Sequence, residues 1–324
     1  MAEEYDSHVL RLSFALTLCI SLLIDAIIGD PVNFPHPVKL IGHLITFLKS
    51  KLFIDSHSFI RGLVLSFLTL ITTGLAVFFT LYITDCNIMI QIYLLYSSIA
   101  WRDLKDETFP AVLSLMNHDM NSSRKFLSYV VGRDTENLNE HEITRAVIET
   151  VAENSIDGII SVMFFAFIGY ALNHSYGMII SVWLFKSAST LDSMVGYESY
   201  GRFGYASAKL DDILNFIPAR FGGLIIILAG ILTGHDGKRA IRVFIHDRKN
   251  HKSPNSAHGE SAFAGVLCVR LGGGAFYHGK FESRPYINED ARVPEVSDVF
   301  RAYRLLDVSC SLFAFVIILL SCLI

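Results

Sequence analysis

Apolar residues in this chain gather in long runs instead of alternating with polar ones. Four runs, 9–28 (VLRLSFALTLCISLLIDAII), 62–84 (GLVLSFLTLITTGLAVFFTLYIT), 213–233 (ILNFIPARFGGLIIILAGILT) and 305–324 (LLDVSCSLFAFVIILLSCLI), are long and apolar. Each has about the 20 residues a helix needs to cross a bilayer core. Three further runs, 88–101, 159–172 and 177–191, are short for a full crossing. Between the runs the pattern becomes that of surface helices and turns. The prolines of GDPVNFPHPV predict a rigid turn after residue 29, with a helix restarting near Pro37. DMNSSRKFLSYVVG predicts a helix ending near Gly132. NLNEHEITRAVIETVAEN predicts another, started by Asn139 with Glu142 three residues on, as in a capping box. SPNSAHGES predicts a turn into a helix with Glu260 in its first turn. Strand signals are few, and no internal repeat or flexible linker is present. The pattern predicts an all-α, polytopic integral membrane protein, a single domain over 1–324, with cytoplasmic helices and Gly/Pro-rich loops.

Composition supports this reading. The 324 residues are 52% hydrophobic and only 18% charged, with a mean hydropathy of +0.44. A soluble domain of this length carries more charge. The first run follows an acidic flank, MAEEYDSH, and precedes no small-residue cleavage site, so it is expected to be a retained helix. The five cysteines are scattered without metal or disulfide spacing. The net charge of −4 says little about partners, and no nucleic-acid partner is expected. Basic residues concentrate in 234–304, and 30–61 and 102–145 are also basic, which favours the cytoplasmic side for all three. Seven crossings would separate 102–158 from 234–304. One short run is therefore expected not to cross, with 159–191 the favoured place for a re-entrant helix or a paired excursion.

Four stretches carry candidate chemistry. Arg145, Glu149, Glu153 and Asp157 recur every four residues, one helical stripe about 18 Å long. Such a stripe reads either as a solvated face or as a site for a divalent cation or a phosphate. Its position at the mouth of an apolar segment favours the site, with Asn154 adding a neutral ligand. The stretch 186–220 brings Lys186, Asp192, Lys209, Asp211, Asp212 and Arg220 within 35 residues. Bases suit phosphate, and acids suit Mg²⁺ carried by phosphate. The alternative is an interfacial loop with snorkelling bases. In 246–279, His251, Lys252, Ser253, Asn255 and Glu260 precede LGGGAFYHG, where glycine permits close backbone approach. The histidine intervals do not fit a zinc finger, and a plain surface turn is the competing reading. Finally, Asp25, Asp30, His36 and Lys39 cluster at the first turn, and VVGRDTENL offers Arg133 beside Asp134.

These blocks resemble the CobD/CbiB family. The resemblance rests on GDP…HPV…IG near 29–42, VGRDT at 131–135, RAVIETVAENSIDGI at 145–159, KSASTLDSMVGY at 186–197, AKLDD…PAR at 208–220 and HKSPNSAHGESAFAGVL…LGG…Y at 251–277. They run in order over most of the chain. The resemblance implies adenosylcobinamide-phosphate synthase activity in cobalamin biosynthesis. That is the ATP-dependent amide ligation of adenosylcobyric acid with (R)-1-aminopropan-2-ol O-phosphate or a related amino alcohol. It also implies a multi-pass location in the cell membrane with the active face cytoplasmic, and it leaves a homo-oligomer open. Residue chemistry then proposes the roles. Glu149, Glu153, Asp157 and Asp192 are catalytic candidates. Arg133, Asn154, Lys186, Lys209, Arg220, His251, Lys252, Ser253, Asn255 and Glu260 are substrate and phosphate candidates. Glu153, Asp157, Asp192, Asp211 and Asp212 are Mg²⁺ candidates, with ATP the second implied ligand. Tyr197, Tyr200, Phe203 and Tyr205 are aromatic residues that could cover one corrin face. Two other classes compete: a membrane transporter, which predicts two pseudo-symmetric halves, and an AmpE-like non-catalytic sensor.

Overall fold

The computed structural model describes residues 2–31, 35–55 and 57–323. In chain order the helices are α1 (Ala2–Ile28), α2 (Pro37–Leu52), α3 (Phe59–Ile83), α4 (Ile88–Tyr96), α5 (Trp101–Met116), α6 (Met120–Leu127) and α7 (Glu140–Ser155). After a π-helical turn (Ile156–Ile160) come α8 (Ser161–Val195), α9 (Gly201–Leu214), α10 (Phe216–Leu232), α11 (Gly237–Asp247) and α12 (Ser256–Leu267). Four short strands follow, β1 (Leu271–Gly272), β2 (Ala275–Tyr277), β3 (Lys280–Glu282) and β4 (Tyr286–Ile287), before α13 (Val296–Ser321). β1 pairs antiparallel with β4, and β2 with β3. The all-α class is thus observed.

Three helical stretches are long and apolar enough to cross a membrane: Phe59–Ile83, Val296–Ser321 and one within Glu140–Val195. In the last of these α7 is polar, and its acids keep it out of the apolar part that follows. The run 213–233 is not one helix, because α9 ends at Asn215 and α10 restarts at Phe216. The helix predicted to reach Gly132 stops at Leu127, where Ser128 caps it. The rigid turn after Gly29 falls partly on 32–34, outside the described residues, but α2 does start at Pro37, with His36 Nδ1 accepting from the Val38 N–H.

The contacts divide the chain into two compact units, each assembled from separated segments. One comprises 1–100, 161–215 and 315–324. Here α3 packs against α2, α8 and α9, and the Ser66 and Ser207 hydroxyls meet at 3.3 Å. α8 is two arms folded back on each other. Asn173 and His174 leave helical geometry, His174 at φ +41. The Ser181 hydroxyl then donates across the hairpin to the Phe165 carbonyl at 2.6 Å. Gly169 and Gly177 lie so close that a side chain on either would overlap the other's carbonyl oxygen. The stretch expected to be irregular, 159–191, contains this hairpin.

The other unit comprises 101–160 and 216–314. Its centre is α12, buried at every position from Ala257 to Leu267 and contacted by α7, α10 and α11. Small residues, SAHGESAFAG, allow this approach. A Cβ on Gly259 would sit 2.5 Å from the Ala152 carbonyl oxygen of α7. α10 is apolar on both faces. Gly222, Gly223, Ile226 and Ala229 face inward, and Ile217, Phe221, Leu224, Leu228 and Ile231 form an exposed stripe. A chain surrounded by water would bury such a stripe, and its exposure suits a membrane protein.

Candidate active site

In the second unit, α7, α12, the turn before α12 and the glycine loop after it enclose a narrow polar cleft. It measures about 300 Å³ with its open mouth included. Arg133, Glu149, His251, Glu260, Tyr277 and Arg284 are among its lining residues. Each is placed by a local feature. The Asn139–Glu142 capping box, reciprocal as expected, starts α7 and sets Glu149 on its inner face. The run Gly272–Gly273–Gly274 has φ of +73, +85 and +88, a left-handed path that residues with a Cβ adopt only under strain. That path turns two carbonyls toward α7: Arg145 Nη1 donates to Gly272 O, and Nη2 to Gly274 O at 3.1 Å. In return the Gly272 N–H donates to Glu149 Oε1 at 2.8 Å.

Glu149 is the hub. Its Oε2 lies 2.7 Å from Arg133 Nη2, and its Oε1 lies 3.7 Å from Arg145 Nε. Burial opposes ionisation of Glu149, but Arg133, Arg145 and the Gly272 N–H overcome it and hold the carboxyl below its usual range. Glu260 has the opposite environment. It is only 6% exposed, and it makes no hydrogen bond or ion pair among the described residues. Burial, then the charges of Glu149 and Glu153, push its carboxyl well above the ordinary range, against the pull of Arg133 and Arg284. Two carboxyl groups in one cleft are thus driven to opposite protonation states, a pattern common to acid–base sites.

Arg284 donates from Nη2 to the Tyr277 hydroxyl at 3.1 Å and lies 2.8 Å from His251 Nε2. Its Nε is buried without a partner. The Ser253 N–H takes His251 Nδ1 at 3.0 Å. Burial, with Arg284 and Lys252 beside it, keeps the His251 pKa below the usual value despite Glu153 and Glu149. His251 is therefore held towards the neutral ring, which can accept at only one of its two nitrogens. Below it the turn is cross-braced. The Asn255 N–H donates to Ser253 Oγ at 3.2 Å, Arg220 Nη1 to Asn255 Oδ1 at 3.3 Å, and the Ser256 hydroxyl to Glu153 Oε1 at 2.8 Å. His258, behind the cleft, stays neutral, with its pKa lowered to about 4 by burial and then by Arg220 and Arg248.

This unit therefore gathers Arg133, Glu149, Glu153, Arg220, His251, Ser253, Asn255 and Glu260 around α12. Lys252 pairs with Glu282 at 2.9 Å on a more exposed surface. The Asn154 amide donates to Thr150 O of its own helix. A π-helical turn, Ile156–Ile160, interrupts the α-helix at Asp157. One expectation needs correction. Glu260 lies in the second turn of α12, and this position buries it. Lys186, Asp192, Lys209, Asp211 and Asp212 belong to the other unit. There Lys209 pairs with Asp212 at 2.8 Å, and Asp211 accepts from Asn215 at 3.0 Å. Phe203 is core, packed on Phe53 at 5.0 Å between ring centroids. Among the described residues no group of three or more His, Cys, Asp or Glu could hold a metal ion. A ready-made metal cage does not fit these residues. Mg²⁺ that arrives on phosphate needs only one or two carboxylates. Arg284 lies outside the sequence candidates, and Tyr277 was marked only as the closing residue of the LGG…Y block.

Fold and cleft together define an α-helical membrane protein with a buried acid–base cleft framed by a glycine loop. The chain belongs to the CobD/CbiB family, since the family model described as "CobD/Cbib protein" matches residues 18–306. It is 38% identical over 316 residues to the cobalamin biosynthesis protein CobD of Clostridium perfringens (strain 13 / Type A), covering 95% of this chain and 98% of the relative. It is also 38% identical over 320 residues to the protein of that name from Citrobacter koseri, with 95% and 98% covered. The match to that of Pelobacter propionicus is 41% over 283 residues, with 85% of each covered. No solved structure matches.

Proposed function

We propose that this chain acts in cobalamin biosynthesis as an ATP-dependent acid–amine ligase. It would join adenosylcobyric acid to (R)-1-aminopropan-2-ol O-phosphate, or a related amino alcohol, to give adenosylcobinamide phosphate. The observation that carries this reading is the pairing of an ionised Glu149 with a neutral Glu260 in one cleft bordered by Arg133 and Arg284. Amide formation needs cations for phosphate oxygens, shelter from water and an acceptor for the amine proton, which Glu260 supplies only in its ionised form. A carboxylate resists amine attack, so ATP supplies an acyl phosphate, with Mg²⁺ accompanying the nucleotide. His251 and Arg284 face phosphate, and the Gly272–Gly274 backbone allows close approach. Glu153, at the edge of this cleft, remains a proposed carboxylate partner of Mg²⁺. Detergent-purified protein given adenosylcobyric acid, aminopropanol phosphate, ATP and Mg²⁺ should form the amide only when all four are present. Glu153→Ala should abolish the product while membrane insertion persists. Turnover near that of the parent protein would remove this residue from the mechanism, and vesicle uptake without covalent product would favour transport.

A further inference from the structure

α10 and α11 belong to the same unit and are antiparallel neighbours along most of their length. At one end Gly237 opens α11 against Ile231 of α10, whose side chain a Cβ on Gly237 would meet at 2.6 Å. At the other end the Phe244 ring of α11 fills the space over Gly223 of α10 where a side chain would stand. These two contacts lie about 10–12 Å apart along the helices. Both helices rest on α12, which is buried from Ala257 to Leu267.

Their outer faces differ in kind. α10 shows the apolar stripe that runs from Ile217 to Ile231. α11 buries Ala240, Val243, Phe244 and Asp247. It turns Lys238, Ile241, Arg242 and Ile245 outward, and Lys249 is exposed just beyond its end. Asp247 is the one acid between Gly237 and Lys249, and it points inward to accept from the Asn288 N–H at 2.8 Å. Asp236 caps the helix start, accepting from the Lys238 and Arg239 N–H groups. The outer face of α11 is therefore cationic, with two isoleucines set among the bases.

We propose that α10 and α11 form a docking surface that lies along one face of the bilayer without crossing it. α10 immerses its apolar stripe at the acyl boundary, and Lys238, Arg242 and Lys249 meet the phosphates of anionic phospholipids. The antiparallel pairing decides between lying flat and crossing. An upright α10 would hold α11 upright beside it. Bases stand at both ends of α11, so no tilt would let all of them reach one surface, and some would sit in hydrocarbon. α10 also has only 17 residues, about 25 Å of helix against a core of roughly 30 Å. Laid flat, every base is at headgroup level, while Ile241 and Ile245 reach between the headgroups. A soluble anion would satisfy the bases and leave the stripe in water. A second copy meeting this face with the same face would set bases against bases. A lipid leaflet answers both halves of the surface.

The test uses the full-length protein in phospholipid nanodiscs. Phe221→Trp and Leu228→Trp place a reporter at two exposed points of α10. Lipids brominated at shallow or deep acyl positions quench it, with the signal of the native Trp101 and Trp183 subtracted from the parent protein. Both reporters should show one shallow depth. A crossing helix would separate them by about 10 Å, and that result overturns the proposal. Absence of quenching at both positions overturns it too, since the stripe would then be covered by protein. A second readout needs no variant. In discs containing phosphatidylglycerol, Lys238 and Lys249 of the parent protein should be protected from an amine-reactive label, compared with discs of phosphatidylcholine alone, and high salt should weaken that protection. Equal labelling in the two discs overturns the headgroup contact even where a substituted chain fails to fold. Finally, Lys238→Gln/Arg242→Gln/Lys249→Gln should retain phosphatidylglycerol over phosphatidylcholine about 10- to 100-fold less well in native mass spectrometry. Unchanged retention removes these three residues from the contact.

Discussion

Glu149 shows how one residue can tie three segments together. Its carboxylate joins the loop of Arg133, the helix of Arg145 and the glycine run in a single buried cluster, and its side chain is 6% exposed. Removing Arg133 takes the nearest cation from a buried carboxylate and leaves it only Arg145 and the Gly272 N–H, so Arg133→Ala should lower stability by about 3 kcal/mol. The double variant Arg133→Met/Glu149→Leu should recover much of that loss. Thermal unfolding of the detergent-solubilised variants measures both, and a single variant as stable as the parent would show that Glu149 has other support. The Arg145–Glu149 pairing was legible in the sequence, because helical spacing alone brings the two together. The Arg133–Glu149 pair was not, since only the fold returns a loop residue 16 positions away to the same carboxylate. Arg284 was illegible for the same reason, while Tyr277 was visible only as the end of a motif block. Glu260 was visible as a polar residue, but its burial depends on the helices packed around α12.

Those helices are held close by the absence of side chains. Gly259 lets α12 rest on α7, and a branched residue there would press into the Ala152 carbonyl. Gly259→Val should destabilise the protein by about 1–3 kcal/mol and open the cleft. Gly132→Ala, at a glycine with nothing within 4 Å of the added carbon, should change stability by no more than about 0.5 kcal/mol. Equal melting temperatures for the two variants would contradict this account of the packing. At this scale the sequence was informative where local chemistry decides. The capping box of α7 and the proline start of α2 follow from side-chain and ring geometry within a few residues. The π-turn after Ser155 has no such local signature. It lies where Ile156 and Ile160 meet Gly222 of α10, and a tertiary contact of that kind leaves no periodicity to read.

The whole chain carries apolar side chains on its outside as well as its inside. Phe67, Ile71, Leu75 and Phe79 of α3 are exposed, as is the outer stripe of α10. Washing membranes with alkaline carbonate should therefore leave the protein in the pellet; recovery in the supernatant would show that these surfaces bury against protein instead. The long runs made the membrane class legible, because spanning length and hydropathy are properties of the sequence itself. The division into two compact units was not legible, because each is stitched from stretches far apart in the chain. The hairpin within α8 adds a point about biogenesis. Its tip, near Asn173 and His174, is short, contains no Asp, Glu, Lys or Arg, and is flanked by Leu172. An insertion machine would thus meet no Asp, Glu, Lys or Arg at the blunt end itself, the first such side chain on the returning arm being Lys186.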